Sequence, residues 1–166
     1  MSYSWDSWRV SDGLEGGPMP SVYVKKSRTE RVKDSERRYN DENMSHFVRY
    51  ISGESLIRDS YHFSKEDLES SLREWLKEIK ERLNNGIDEE KRVFLVRDLA
   101  RLIQVSSSNE GLSILIDQAS KQGKKSEEKL QLKRIYKDSF DKDLRQSAGR
   151  ALGYSRLRIW CRNHQI

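Results

Sequence analysis

The chain has few of the residues on which disulfide-rich and β-rich proteins depend. Cys161 is the single cysteine among 166 residues, which excludes an intramolecular disulfide and a zinc site built from cysteine alone. Two prolines and nine glycines are also few for an all-β domain, which needs a turn roughly every 8–12 residues. These shortages favour a helical protein.

Long apolar runs are missing as well. No stretch reaches the roughly 18 consecutive apolar residues that would span a bilayer, and residues 1–20 lack the basic start and apolar run of a signal peptide. Hydrophobic residues make up 34% of the chain and charged residues 36%. That balance is typical of helices with broad solvated faces or of a partly disordered chain. We expect a cytoplasmic or nuclear protein.

The positive charge is concentrated near the carboxyl end. Lys and Arg equal Asp and Glu in residues 1–64, ten of each, and nine stand against twelve in residues 65–120. Residues 121–166 hold thirteen basic and five acidic side chains, a net charge of +8, whereas the whole chain carries +5. A basic region of this kind is the usual electrostatic signature of a protein that binds nucleic acid, an acidic protein or an anionic membrane.

The sequence predicts a flexible N-terminal arm over residues 1–43, because glycine and proline at positions 13–20 break any periodicity and few apolar residues follow. Trp5 and Trp8 stand out in this polar setting. Aromatic side chains dominate the binding energy of many interfaces. We interpret these two either as anchors for a protein partner or as residues that pack within the chain.

Helical periodicity dominates the remainder. Ser64 and Asp67 resemble a capping box, and an apolar stripe follows from Leu68 to Leu83. We predict helices over 65–84 and 88–105, the second central because its middle is apolar on almost every side. Further helices are predicted after residue 109, over 126–138 and over 141–152. Residues 154–162 fit a strand or a helix, and we favour a helix. The predicted fold is all-α, a compact bundle or stacked array of five to six helices over residues 44–166.

No residue pattern indicates catalysis or metal binding. The three histidines lie in no ligand or triad motif, and Cys161 with His164 gives two potential ligands where a structural zinc site needs four. The aspartates at 138, 141 and 143 depart from the spacing of a calcium loop. We therefore expect a protein that is not an enzyme and needs no cofactor and no metal.

The strongest candidate site is the basic C-terminal part, residues 121–166, in which the cations alternate with Tyr136, Phe140, Tyr154 and Trp160. On a continuous helix Lys125, Lys129, Lys133 and Lys137 would form one row at intervals of four residues. The alternative is that all these side chains are simply the solvated faces of helices. The candidate residues for binding nucleic acid or another anion are Lys121, Lys124, Lys125, Lys129, Lys133, Arg134, Lys137, Arg145, Arg150, Arg156, Arg158 and Arg162.

The favoured hypothesis is a non-enzymatic regulatory or accessory protein whose basic surface binds nucleic acid, RNA in particular, or a nucleoprotein. Two alternatives remain open at this point. One is a helical adaptor that binds an acidic protein partner. The other is a peripheral membrane or matrix-type protein that binds anionic lipid.

Overall fold

The computed structural model describes residues 26–164, and this part of the chain forms eight α-helices and no strand. The all-α class is confirmed, but the expected count of five to six helices is wrong. Trp5 and Trp8 lie outside the described residues. The helices are α1 (Arg28–Asn40), α2 (His46–Asp59), α3 (Lys65–Asn84), α4 (Glu89–Ser106), α5 (Asn109–Ser120), α6 (Glu127–Asp138), α7 (Lys142–Ala151) and α8 (Arg156–Asn163).

Helix α4 is the centre of the fold, as its sequence predicts. It packs against α2, α3, α5 and α6, and its side chains Val96, Leu99, Leu102 and Ile103 are fully buried. Around it, α3, α5, α6 and α7 contribute further leucine and isoleucine side chains to one continuous core. Phe94 differs from the expectation that the middle of α4 is buried on all sides, because its side chain is 72% exposed.

Several helix ends follow directly from local sequence. The Ser64 hydroxyl accepts a hydrogen bond from the Asp67 amide, and the Asp67 carboxylate accepts one from the Ser64 amide, which completes the predicted capping box. Asp88 caps α4 by accepting a hydrogen bond from the amide of Glu90. Between these two helices Gly86 has a φ of +68°, a left-handed conformation that favours glycine.

Helix α1 lies within residues 1–43, for which the sequence predicts a flexible arm. Ser27 caps it, and it packs along α2. Its contacts are mostly polar: Arg28 Nε donates to the carbonyl of Asp59 at 2.7 Å, and Arg38 Nε donates to Ser52 Oγ at 3.2 Å. The Tyr39 ring adds an edge contact to Phe63 at 4.9 Å between centroids. Since α1 has almost no apolar stripe, hydrophobic periodicity could not predict it.

The last three helices pack one on the next. Helix α7 packs on α6, and α8 packs on α7 through the buried side chain of Ile159. Tyr136 of α6 also reaches α8, where its hydroxyl donates to the carbonyl of Arg158 at 3.2 Å. The preference for a helix over a strand at residues 154–162 is confirmed. The basic C-terminal part is therefore carried by three contiguous helices.

Candidate anion-binding surface

Two of the five acidic residues of the basic C-terminal part point away from its surface. Glu128 is fully buried, and both of its carboxylate oxygens accept hydrogen bonds from Arg92 Nη1 of α4. Its neighbour Glu127 accepts a hydrogen bond from Arg97 Nε at 2.7 Å. These two ion pairs join the start of α6 to α4, so arginines from outside the basic part neutralise two of the five acids within it.

The pKa of Glu127 is consistent with its ion pair to Arg97. Burial alone would raise the pKa of its carboxyl group, but hydrogen bonds from Arg97 and Gln131 and the nearby charge of Arg134 together hold that pKa below its usual value. In the ion pair between Arg92 and Glu128, the pKa of Arg92 is raised by its hydrogen bonds to Glu89 and to Glu128. The shifts of Glu127 and Arg92 thus both favour the charged form.

The cations of the basic C-terminal part stay largely unpaired as a result. Seven Lys and Arg side chains form salt bridges within residues 26–164, and six of these seven precede residue 121. Lys121 is the one candidate residue among them, at 3.5 Å from Asp117. A solvated helix face normally mixes charges of both signs, so an excess of unpaired cations favours an anionic ligand.

The predicted row of four lysines is shorter in the structure. Ser126 caps α6, with its hydroxyl accepting from the amide of Lys129, so Lys125 precedes the helix and drops out of the row. Lys129 is partly buried, whereas Lys133 and Lys137 are exposed one helical turn apart. The row on α6 therefore presents two lysines to solvent.

Helix α8 brings two arginines beside this pair. Arg162 Nη2 donates a hydrogen bond to the carbonyl oxygen of Lys137, and the hydroxyl of Tyr136 bonds to the carbonyl of Arg158. These contacts hold the carboxyl end of α6, which carries Lys133 and Lys137, against α8, which carries Arg158 and Arg162. We call these four side chains the basic cluster. Arg162 comes from a segment 25 residues further along the chain than Lys137, and sequence spacing does not reveal the juxtaposition.

The other predicted cations are dispersed. Lys121, Lys124 and Lys125 lie at the connection from α5 to α6, at the opposite end of the roughly 18 Å long α6 from Lys137. Arg134 lies near Glu127, while Arg150 and Arg156 are exposed at the ends of α7 and α8.

Arg145 has a structural role instead. Its Nε donates to Asn163 Oδ1 at 3.0 Å, and its Nη1 donates to the carbonyl of Ser139 at 2.8 Å. The side chain is only partly exposed. It therefore ties α7 to α8 and to the turn that precedes α7.

Aromatic rings lie beside Arg158 of the basic cluster and elsewhere on α8. The guanidinium carbon of Arg158 is 3.6 Å from the centroid of the Tyr154 ring, and that ring makes an edge contact with Tyr136 at 4.9 Å. Trp160 is 57% exposed and stacks on the His164 ring at 4.3 Å between centroids. Trp160 lies two residues from both Arg158 and Arg162, so it points to another side of α8. Unpaired cations and an exposed ring on one helix are features also found in proteins that bind single-stranded nucleic acid.

A cleft of about 420 Å³ opens beside the same end of α6. Its walls are lined by Phe47 at the start of α2, Arg101 and Val105 of α4, Asp138 at the end of α6 and Phe140 in the turn that follows. Sequence reasoning named Phe140 among the aromatic residues of the basic part. It missed Arg101, which lies in the region of net negative charge and is brought here by the packing of α4.

Histidine and cysteine side chains form no larger cluster in the described part of the chain. His46 is buried, and its Nδ1 lies 2.8 Å from Asp98 Oδ2. The His164 ring bonds to the Trp160 carbonyl at 2.8 Å, and Cys161 is exposed. Within residues 26–164 no three His, Cys, Asp or Glu side chains come together as they would around a metal ion.

Comparison with protein-family models, curated proteins and solved structures found no match to the chain. Among the described residues, no helix has the length and apolar character needed to cross a membrane. The basis for a functional hypothesis is therefore the geometry of the surface itself.

Proposed function

We propose that this protein is a non-enzymatic accessory protein that binds single-stranded RNA through the basic cluster. The observation that supports this most strongly is the inward orientation of Glu127 and Glu128, which pair with Arg97 and Arg92. With these two acids paired inward, Lys133, Lys137, Arg158 and Arg162 form no salt bridge within the described residues, and phosphates provide a counter-charge.

The aromatic side chains favour RNA over an acidic protein as the ligand. Bases of a single strand stack on exposed rings, and each such contact contributes about 1–3 kcal/mol. Trp160 offers an exposed indole, and Tyr154 lies under the Arg158 guanidinium. An arginine fixed over a ring presents both a charge for phosphate and a flat surface for a base.

The proposal is tested by neutralising two cations of the basic cluster. We expect Lys133→Gln with Lys137→Gln to weaken binding of a labelled single-stranded RNA of about 12 nucleotides, measured by fluorescence anisotropy over a range of salt concentrations. Each phosphate contact on a single strand contributes about 0.7 to the slope of log affinity against log salt concentration. The double variant should therefore lower the slope by about 1.4.

The matched control is Lys77→Gln with Lys80→Gln. Both residues are exposed on α3, which packs against α2, α4 and α5, and the change in net charge is the same. For this control variant, the slope of log affinity against log salt concentration should equal that of the unmodified protein. Equal losses in the two double variants would show a response to net charge alone and would contradict a site at the basic cluster.

A further inference from the structure

The cleft beside the basic cluster has a wall that is apolar, exposed and held in place. Phe140 is fully exposed to solvent, with a relative exposure of 101%. The turn that carries it is nonetheless fixed by hydrogen bonds of Ser139, whose amide donates to the Ile135 carbonyl at 3.1 Å and whose carbonyl accepts from Arg145 at 2.8 Å. The Ser139 hydroxyl also accepts from the amide of Asp141 at 3.2 Å.

The turn that carries Phe140 is suited to binding a ligand, because it is ordered and exposes an aromatic ring. Burying such a ring releases a large apolar area from water, and because the turn is already ordered, little conformational entropy is lost on association. Phe47 and Val105 line the facing walls, so an occupant of the cleft would contact apolar groups on more than one side. A flat, aromatic occupant fits this arrangement best.

The polar groups of the cleft differ in their availability. The Asp141 carboxylate is occupied, because its Oδ1 accepts from the amides of Asp143 at 2.8 Å and Leu144 at 3.2 Å to cap α7. The Asp138 side chain is exposed, and its carboxylate forms no hydrogen bond or salt bridge with other described residues. Its carboxylate is therefore a hydrogen-bond acceptor ready for a donor on the ligand, and Arg101 on the α4 wall supplies a cation.

We infer that the cleft binds one unpaired nucleobase of the RNA, which stacks on Phe140 while Asp138 accepts a hydrogen bond from its exocyclic amino group. The inference rests on the proposed function and names the part of the RNA that the protein reads. Asp138 directly follows Lys137, so a strand whose phosphates contact the basic cluster passes the mouth of the cleft. A carboxylate accepts hydrogen bonds from the N4 amino group of cytosine, whereas uracil presents a carbonyl oxygen at the same position.

The test compares two oligoribonucleotides of about 12 nucleotides, oligo(C) and oligo(U), which are both pyrimidine strands with the same number of phosphates. We expect the unmodified protein to bind oligo(C) on the order of tenfold more tightly than oligo(U). Asp138→Asn should weaken binding of oligo(C) and leave binding of oligo(U) unchanged or stronger, because removing the carboxylate also removes its repulsion of phosphate.

Stacking is tested separately with Phe140→Ala, which should weaken binding of both strands by about fivefold or more. Phe94→Ala is the matched control, since this phenylalanine is 72% exposed on α4 and does not line the cleft. Circular dichroism checks that each variant is folded.

Two results would overturn the inference while leaving the proposed function intact. One is equal, salt-dependent binding of oligo(C) and oligo(U) by the unmodified protein. The other is an equal response to Phe140→Ala and Phe94→Ala. Absence of binding to either strand at low salt would refute the inference and the proposed function together.

Discussion

The buried ion pair between Arg92 and Glu128 allows a sharp test of how the basic C-terminal part is held to the core. We expect Arg92→Met to lower the free energy of unfolding by about 3–5 kcal/mol, because it leaves the fully buried Glu128 carboxylate without a partner. The Arg92 side chain is only 14% exposed, so methionine fills a similar apolar volume and the loss reflects the charge. Domains of this kind are stabilised by about 5–15 kcal/mol, and the variant therefore remains folded but fragile.

Urea denaturation followed by circular dichroism at neutral pH measures this loss. A change of this size should move the midpoint by roughly 2 M. The same arginine also pairs with Glu89, which is 75% exposed. Glu89→Gln is therefore the control, and it should leave the midpoint nearly unchanged because an exposed ion pair contributes little.

A second substitution completes the test. Adding Glu128→Met to Arg92→Met removes the unpaired carboxylate and should restore most of the lost stability, since well-packed apolar side chains often replace a buried ion pair at little cost. The reasoning is refuted if Arg92→Met destabilises the protein by less than about 1 kcal/mol, or if the double variant is no more stable than the single one.

Two further predictions concern stability elsewhere in the fold. The Asp98 carboxylate accepts hydrogen bonds from the amides of His46 at 2.8 Å and Phe47 at 3.0 Å, which satisfies two backbone donors at the N-terminus of α2. Asp98→Asn should therefore lower the free energy of unfolding, measured by urea denaturation, by about 1–2 kcal/mol. A decrease of less than a few tenths of a kcal/mol would contradict this. Burial opposes ionisation of Asp98, but the hydrogen bonds from His46 and Phe47 outweigh it and keep the pKa of this carboxyl group low. The ionised carboxylate therefore stabilises the fold above its unfolded pKa of about 3.9, and this stabilisation is lost as pH falls through the lower folded pKa. That pH dependence should be absent from the acid unfolding of Asp98→Asn. Gly149→Ala should lower the free energy of unfolding by about 1–3 kcal/mol, although alanine favours helices, because the added Cβ on α7 would lie 2.9 Å from both the Tyr136 ring and Ile159. A variant as stable as the unmodified protein would show that α6 and α8 can shift away from α7.

Much of the fold follows from sequence because it depends on local chemistry. The Ser64 and Asp67 capping box, the apolar stripe of α3 and the left-handed Gly86 each involve residues a few positions apart, so spacing alone predicts them. Helix α1 has no such stripe and is held by contacts to residues 14–32 positions away, such as those of Arg38 with Ser52 and Tyr39 with Ser71. Tertiary packing is therefore needed to explain it.

The candidate site was predictable in composition but not in arrangement. Counting charges locates the cations after residue 120, but it does not show that Glu127 and Glu128 turn inward toward α4. The four-residue spacing of the lysines places Lys125 in one row with Lys129, Lys133 and Lys137, but the helix begins only after the Ser126 cap. The approach of Arg162 to Lys137 depends on how α8 folds back over α7, and helical periodicity carries no information on that packing.

The central claim is that unpaired cations on α6 and α8 bind RNA, and the salt dependence of RNA binding by the unmodified protein tests it most directly. Anisotropy titrations should show binding at low salt that weakens steadily as salt rises, with log affinity linear in log salt concentration. Vesicles of phosphatidylserine and phosphatidylcholine provide the comparison for a lipid ligand. Binding to these vesicles with no detectable affinity for single-stranded RNA at low salt would contradict the account.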